Sequence, residues 1–319
     1  MSLENTSALS AELPAALPYV LTLGAALCFS SASLIFAQFS RRLSVLWVNT
    51  VKALVAALLL VPTIAILYAT GLAPAVAPDL TSLGLLALSG ALGLGIGDLF
   101  LLDAYTRLGV SRTLILYGFQ PIGLGLVAAI FLGQAFPLGK LVAVIFLIAC
   151  LIIFSLERYK ESGHWEIKGL LNALIGVSLD STGVFISRLA FDHSPELHPL
   201  EGHFIRCLGA LSCYVVISCY YKSRGEPHRR IRLLEYWRSL EPTARRWILL
   251  GCFGGTYLSL CLYLTAVRIG HLGSITAVGI TGPMFAALLE ALIHKKRPSR
   301  YLAAAFVAFM IGFAVLLLN

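Results

Sequence analysis

Residues 104–134 read AYTRLGVSRTLILYGFQPIGLGLVAAIFLGQ, and residues 266–296 read AVRIGHLGSITAVGITGPMFAALLEALIHKK. Each passes from the end of one apolar stretch through a short polar turn into a second apolar stretch. Each meets a proline, Pro121 or Pro283, seventeen residues after its first alanine, Ala104 or Ala266. A shift of 162 residues superimposes the two and carries three consecutive apolar stretches of each half onto one another without a gap. Few residues are identical over that window. What repeats is the length of the stretches and the place of the proline, the mark of a duplicated structural unit.

Read outward from these segments, hydropathy gives ten candidate helices, near 16–38, 44–69, 80–106, 112–133, 138–156, 167–191, 202–221, 247–269, 272–293 and 299–318. A hydrocarbon core about 30 Å thick takes roughly 20 apolar residues per crossing, so ten crossings fit this length. The 319 residues are 58% hydrophobic and 13% charged, with a mean hydropathy of +0.86, which leaves too little polar surface to coat soluble domains. That balance excludes a soluble enzyme, a secreted disulfide scaffold and a disordered tail. The predicted fold is all-α, a polytopic membrane protein of ten transmembrane helices. Residues 1–156 form a first repeat of five helices, 157–166 (ERYKESGHWE) a linker, and 167–319 a second repeat with a basic loop at 222–246. Five crossings are an odd number, so the second unit runs opposite to the first, the inverted-repeat plan of secondary transporters. In the basic loop, Ile231, Leu233, Leu234, Tyr236 and Trp237 alternate with arginines. Two readings stand there: a short amphipathic helix on the headgroups, or a solvated charged loop.

The two quoted segments, each an alanine, a helix-centre proline with small apolar residues and a further Gly/Ala-rich helix, resemble the drug/metabolite transporter superfamily in its ten-helix EamA-type branch. The resemblance covers residues 16–318 and implies paired five-helix repeats and secondary transport. Many members carry a glutamate in the turn after the fourth and ninth helices, where this chain has Gln134 and Lys296. The role of that glutamate is therefore not carried over.

The formal charge is +8, and the basic residues cluster in loops rather than in a patch suited to nucleic acid. Arg41, Arg42, Arg107, Arg112, Arg158, Lys160 and the arginines of 222–246 all fall after odd-numbered helices, whereas the opposite face has chiefly Lys140, Arg188 and Arg268. The positive-inside rule then places both termini outside the cytoplasm, in a protein of the cell (inner) membrane. The first fifteen residues hold Glu4 and Glu12 and no basic residue, so the first apolar stretch is expected to stay as a helix. All seven cysteines lie in apolar segments without C-x-x-C spacing and read as packing residues.

Charges inside predicted helices cost about 3 kcal/mol near the bilayer centre and should face protein or a wet cavity. Lys52 and Asp98 lie at similar depth in helices 2 and 3, so a salt bridge between them is feasible, either as a structural tie or as one that opens for substrate. Asp103 lies nearer Arg107 and Arg112, and Glu290 nearer Lys295, as interfacial residues. Arg206 matches Lys52 when the repeats are overlaid with an offset of 154. Arg206 and Arg188 can snorkel to water; alternatively Lys52 and Arg206 both point inward towards an anionic group. Asp180, mid-helix in GVSLDSTGV, has no basic residue within a turn. It is a candidate for proton coupling or for capturing a cationic substrate, and its place four residues after Gly176 is similar to the acidic residue of the small multidrug exporters. Hydrogen bonds to Ser178, Ser181 or Thr182 are the structural alternative. Asn49, Tyr117, Gln120, Tyr257 and Thr281 are polar residues in helices 2, 4, 8 and 9. The breaks at Gln120-Pro121 and Thr281-Gly282-Pro283, paired across the halves, point to a central binding site. Gly93 and Gly97, like Gly251 and Gly255, have the spacing that lets helices approach closely.

The expected function is a secondary active transporter that moves a small metabolite, an amino acid or related polar or amphipathic solute, by alternating access with protons as a candidate coupling ion. The expected substrate-binding residues are Asn49, Asp98, Tyr117, Gln120, Asp180, Tyr257 and Thr281, and the expected charge-coupling residues are Lys52, Asp98, Asp180 and Arg206. A cation or multidrug exporter built on a membrane-embedded Asp is the alternative, with a channel or an integral membrane enzyme behind it. His193, His198 and His203 are spaced by five and do not line one helical face, and no nucleophile or phosphate-loop motif occurs. No catalytic residue, cofactor or metal is therefore expected. The partners are the small-molecule metabolite, the lipid bilayer and protons, with no nucleic acid, and a monomer or weak dimer suffices.

Overall fold

Backbone groups surrounded by lipid can be satisfied only within a helix or a closed barrel, and apolar runs of this length take the helix. The computed structural model describes residues 16–72, 79–120, 166–226, 231–270, 281–295 and 299–318, with scattered positions in 142–163 and 275–279. The described elements are all helical: α1 (Leu17–Ser40), α2 (Val45–Ala69), α3 (Leu80–Leu108), α4 (Val110–Ile115), α5 (Ile167–His193), α6 (Pro199–Ser223), α7 (Leu233–Ser239), α8 (Pro242–Ile269), α9 (Gly282–His294) and α10 (Arg300–Leu318). Of these, α1, α2, α3, α5, α6 and α8 are long and apolar enough to cross a bilayer, and α9 and α10 are shorter apolar helices. The expected fourth span is described only as far as Gln120, through α4 and a 3-10 turn at Leu116–Phe119. Pro121, Gln134, Lys140, Cys150, Lys296 and most of the fifth span lie outside the described residues.

The repeat is visible in the helix limits. Shifting α2 by 154 residues lays its two ends on those of α6. Shifting α3 by 162 lays its start on that of α8 and its end within one residue. Both α3 and α8 widen into a π-helical segment, Gly90–Gly97 and Cys252–Leu258, and the shift superimposes where the two segments begin. Residue pairs that it relates, Leu86 with Ile248, Leu102 with Leu264 and Ala104 with Ala266, are buried in both halves. The same inward face is thus built twice.

The two halves interlock. The first long helix of each packs on the third of the other, α1 on α8 and α5 on α3, while α6 seats on the π segment of α3 and α2 on that of α8. Small residues allow these approaches. A Cβ on Gly97 would lie 3.2 Å from Leu179 Cβ of α5, and one on Gly251 would lie 3.1 Å from the Phe36 ring of α1. Closest of all are α3 and α6, where a Cβ on Gly90 would strike the backbone carbonyl of Arg206 and one on Gly209 that of Ala87. Outward, Leu58, Val61, Val215, Val216, Leu250 and Leu288 are exposed, an apolar belt that lipid covers.

Caps and loops adjust the expected limits. The α8 helix begins at Pro242, which takes Arg245 and Arg246 out of the loop and into its first turns. The α6 helix begins at Pro199 behind a capping box, with His198 Nδ1 accepting from Leu200 N at 3.3 Å and Glu201 accepting from His198 N at 2.8 Å. Asp79 caps α3 and accepts from the Ser194 hydroxyl at 2.6 Å, which ties the α5–α6 turn to α3 and holds the Asp79 carboxyl well below the usual carboxylate range. In the basic loop, α7 lays Tyr236 edge-on to Trp47 at 6.1 Å, with Leu233 and Trp237 against the same core.

Candidate functional site

A cavity opens among α1, α2, α3, α4, α5, α8 and α9. Its lining runs from Thr22, Tyr263 and Gly279 near one membrane face to Lys52 and Leu114 nearer the other. Most of the wall is apolar, including Ala25, Ala26, Phe29, Leu94, Val184 and Leu260. Phe29 and Tyr117 meet edge to face at 6.2 Å. The start of α9 contributes directly: Gly279, Gly282 and Pro283 line the cavity, and the Ser30 hydroxyl donates to the Gly282 carbonyl at 2.8 Å.

Two carboxylates reach this cavity in different electrical settings. Asp98 is closed on Lys52 at 2.7 Å, and both are nearly buried. The Lys52 ammonium also donates to Asn49 Oδ1 at 3.1 Å and lies 4.8 Å over the Phe36 ring, so its positive charge is engaged on three sides. Asp180 keeps part of its surface open to the cavity and makes no ion pair among the described residues; Tyr117 offers its hydroxyl. The hydroxyls of Ser181 and Thr182 donate to carbonyls of their own helix, Val177 at 2.6 Å and Ser178 at 2.8 Å, rather than to Asp180.

Arg206 stands behind the wall. It is fully buried and does not snorkel, because the Gly90 contact presses α6 against α3 and turns the side chain inward. Its guanidinium nitrogens have no hydrogen-bond acceptor among the described residues. A Cβ on Gly93 would lie 3.4 Å from Arg206 Nη2 and 3.5 Å from Asp180 Oδ1, so both charged groups reach the same gap beside the glycine. Lys52 and Asp98 in the lining, Asp180 beside them and Arg206 behind make a wall whose two cations and two carboxylates are close to neutral in total.

The profile of the EamA-like transporter family matches residues 16–156 and, a second time, residues 167–318. The chain belongs to the EamA-like transporter family. A relative from Archaeoglobus fulgidus, described as an uncharacterized transporter, is 24% identical over 302 residues, covering 95% of this chain and 98% of its own. A protein crystal structure at 15% identity superposes with a TM-score of 0.62 over 96% of this chain and 98% of that one, a likeness of fold.

In this EamA-like transporter the expected site residues divide. Lys52, Asp98, Tyr117, Gln120 and Asp180 line this cavity, and Asn49 reaches it through Lys52. Tyr257 instead turns to Thr63 of α2 at 2.8 Å, and the Thr281 hydroxyl donates to Val278 O at the start of α9. Thr22, Phe29, Thr256, Ser259 and Tyr263 also line it, and hydropathy gave no sign of them. A repeat overlay signals Thr256, which falls on Leu94, another lining residue. Towards the face of the basic loops, polar contacts join helix ends: Ser111 with Glu290, Arg112 with Glu157 at 2.8 Å, and Glu157 with Ser299. Asp103 there holds Arg107 at 2.7 Å and Asn172 at 2.6 Å. Arg188, on the opposite side, donates to the carbonyls of Val267 and Gly270 at the end of α8.

Proposed function

We propose that this transporter carries a small amphipathic metabolite bearing an amine across the cell membrane by alternating access, and exchanges it for protons at Asp180. The observation that carries this reading is the contrast between neighbouring carboxylates: Asp98 is closed on Lys52 at 2.7 Å, whereas Asp180 lines the cavity and, among the described residues, makes no ion pair, with the Arg206 guanidinium behind it. A carboxylate in so apolar a chamber favours whatever neutralises it. A proton and a substrate ammonium are competitors for that role, and their mutual exclusion is the physical basis of exchange. The aromatic rings of Phe29, Tyr117 and Tyr263 suit the apolar body of such a solute.

Alternating access in this reading rocks the two interlocked repeats about the cavity, and the polar contacts at Ser111–Glu290 and Arg112–Glu157–Ser299 form the closed side. By the positive-inside rule that side faces the cytoplasm, with both termini opposite. The test is uptake of amine-bearing metabolites by proteoliposomes with and without a proton gradient, comparing the parent with Asp180→Asn. The parent is expected to concentrate such solutes when the gradient is imposed and the variant to lose that response while remaining folded. Gradient-driven uptake equal in the two would reject Asp180 as the exchange site.

A further inference from the structure

Several helix hydroxyls here, those of Thr22, Thr50, Thr63, Thr113, Ser181, Thr182 and Thr265, donate to the carbonyl four residues back. Thr256 does not. Its hydroxyl is buried, has no hydrogen-bond partner among the described residues, and belongs to a residue that lines the cavity. The cause is local, because Thr256 sits in the π-helical segment Cys252–Leu258, where the widened turn displaces the carbonyl that an α-helical threonine would use. The backbone at this point is fixed all the same, since His203 Nε2 is 2.7 Å from the Thr256 carbonyl oxygen. An unpaired buried hydroxyl is costly unless something else pairs with it.

We infer that Thr256 Oγ1 is a hydrogen-bond subsite for the transported solute, which therefore carries a neutral hydroxyl or amide in addition to its amine and apolar body. The inference rests on the amine-carrier reading above. Ser259, the other aliphatic hydroxyl of α8 in the lining, is already engaged with Ala25 O at 3.1 Å, so it does not duplicate the role. The equivalent wall of the first repeat presents Leu94, which gives the two halves unlike surfaces and the solute a preferred orientation. A neutral group is favoured over a carboxylate because Lys52, the one cation among the described lining residues, is held by Asp98, Asn49 and the face of Phe36.

The test is calorimetric titration of the purified full chain in detergent with phenethylamine, phenylalaninol and phenylalanine, on the parent, Thr256→Val, Thr256→Ser and Asp180→Asn. The parent should bind phenylalaninol about five- to tenfold more tightly than phenethylamine, and phenylalanine more weakly than phenylalaninol. Thr256→Val should bring the first ratio near one, and Thr256→Ser should keep it. The melting temperature of unliganded Thr256→Val should hold or rise, because a structural hydroxyl would lower it when lost. Equal binding of phenylalaninol and phenethylamine by the parent, a preference kept in folded Thr256→Val, or tighter binding of phenylalanine would each overturn the subsite. Phenethylamine binding that is absent, or indifferent to Asp180→Asn, would instead reject the amine-carrier reading on which it stands.

Discussion

Leu94 and Thr256 stand 162 residues apart, hold the same position in two π-helical segments, and each gives its carbonyl oxygen to a side chain of α6. Tyr214 donates its hydroxyl to Leu94, and His203, three helical turns earlier, bonds Thr256. One helix of the second repeat therefore ties to the same position in both halves.

Tyr214→Phe removes one of those ties without changing shape. It should destabilise the protein by about 0.5–1.5 kcal/mol, because a buried hydrogen bond to the Leu94 carbonyl is lost. Denaturant unfolding in detergent micelles, followed by tryptophan fluorescence, measures the loss; a curve superimposed on the parent's would remove the bond from the account.

The Lys52–Asp98 pair predicts strong non-additivity. Lys52→Met should cost about 3–5 kcal/mol, since it strands a buried carboxylate, whereas Lys52→Met with Asp98→Leu should recover most of that. A double-mutant cycle that sums to the two single effects would mean the pair does not interact across its 2.7 Å contact.

Helix approach at α3 and α6 makes glycine substitutions sharply unequal. Gly90→Ala should fail to accumulate as folded protein, because its methyl meets the Arg206 backbone carbonyl. Gly84→Ala, six residues earlier on the same helix with open space around it, should fold and gain up to about 1 kcal/mol from the better helix former. Size-exclusion profiles of the two variants decide the matter.

The α6 cap gives a pH dependence. Burial, reinforced by Arg268, lowers the pKa of His198 below its ordinary value of 6.5, and its neutral ring accepts from Leu200 N. The contribution of the cap is therefore full above pH 6.5 and drains as the pH falls through the lowered folded value. Hydrogen exchange at 198–203 should quicken on acidification in the parent and lose that acid dependence in His198→Asn.

Much of the fold was legible because lipid imposes it. Apolar runs gave the helix limits, the mid-helix prolines gave the 162-residue register, and equal depth brought Lys52 opposite Asp98. Helix rotation is what hydropathy leaves open. It sent Tyr257 to Thr63 and buried Arg206 behind Gly93, where snorkelling was also feasible. The π segments escaped detection for a related reason, since GALGLGIG and CFGGTYL are as apolar as an ordinary turn and the extra residue changes geometry without changing composition. Thr256, whose hydroxyl has no hydrogen-bond partner among the described residues, lies in one of these segments.

The most direct measurement of the central claim is proton movement from liposomes containing a trapped pH dye when an amine substrate is added outside. Exchange at Asp180 predicts that the parent releases protons in step with amine entry and that Asp180→Asn, equally well reconstituted, stays silent. Substrate-driven proton release undiminished in the variant would contradict it.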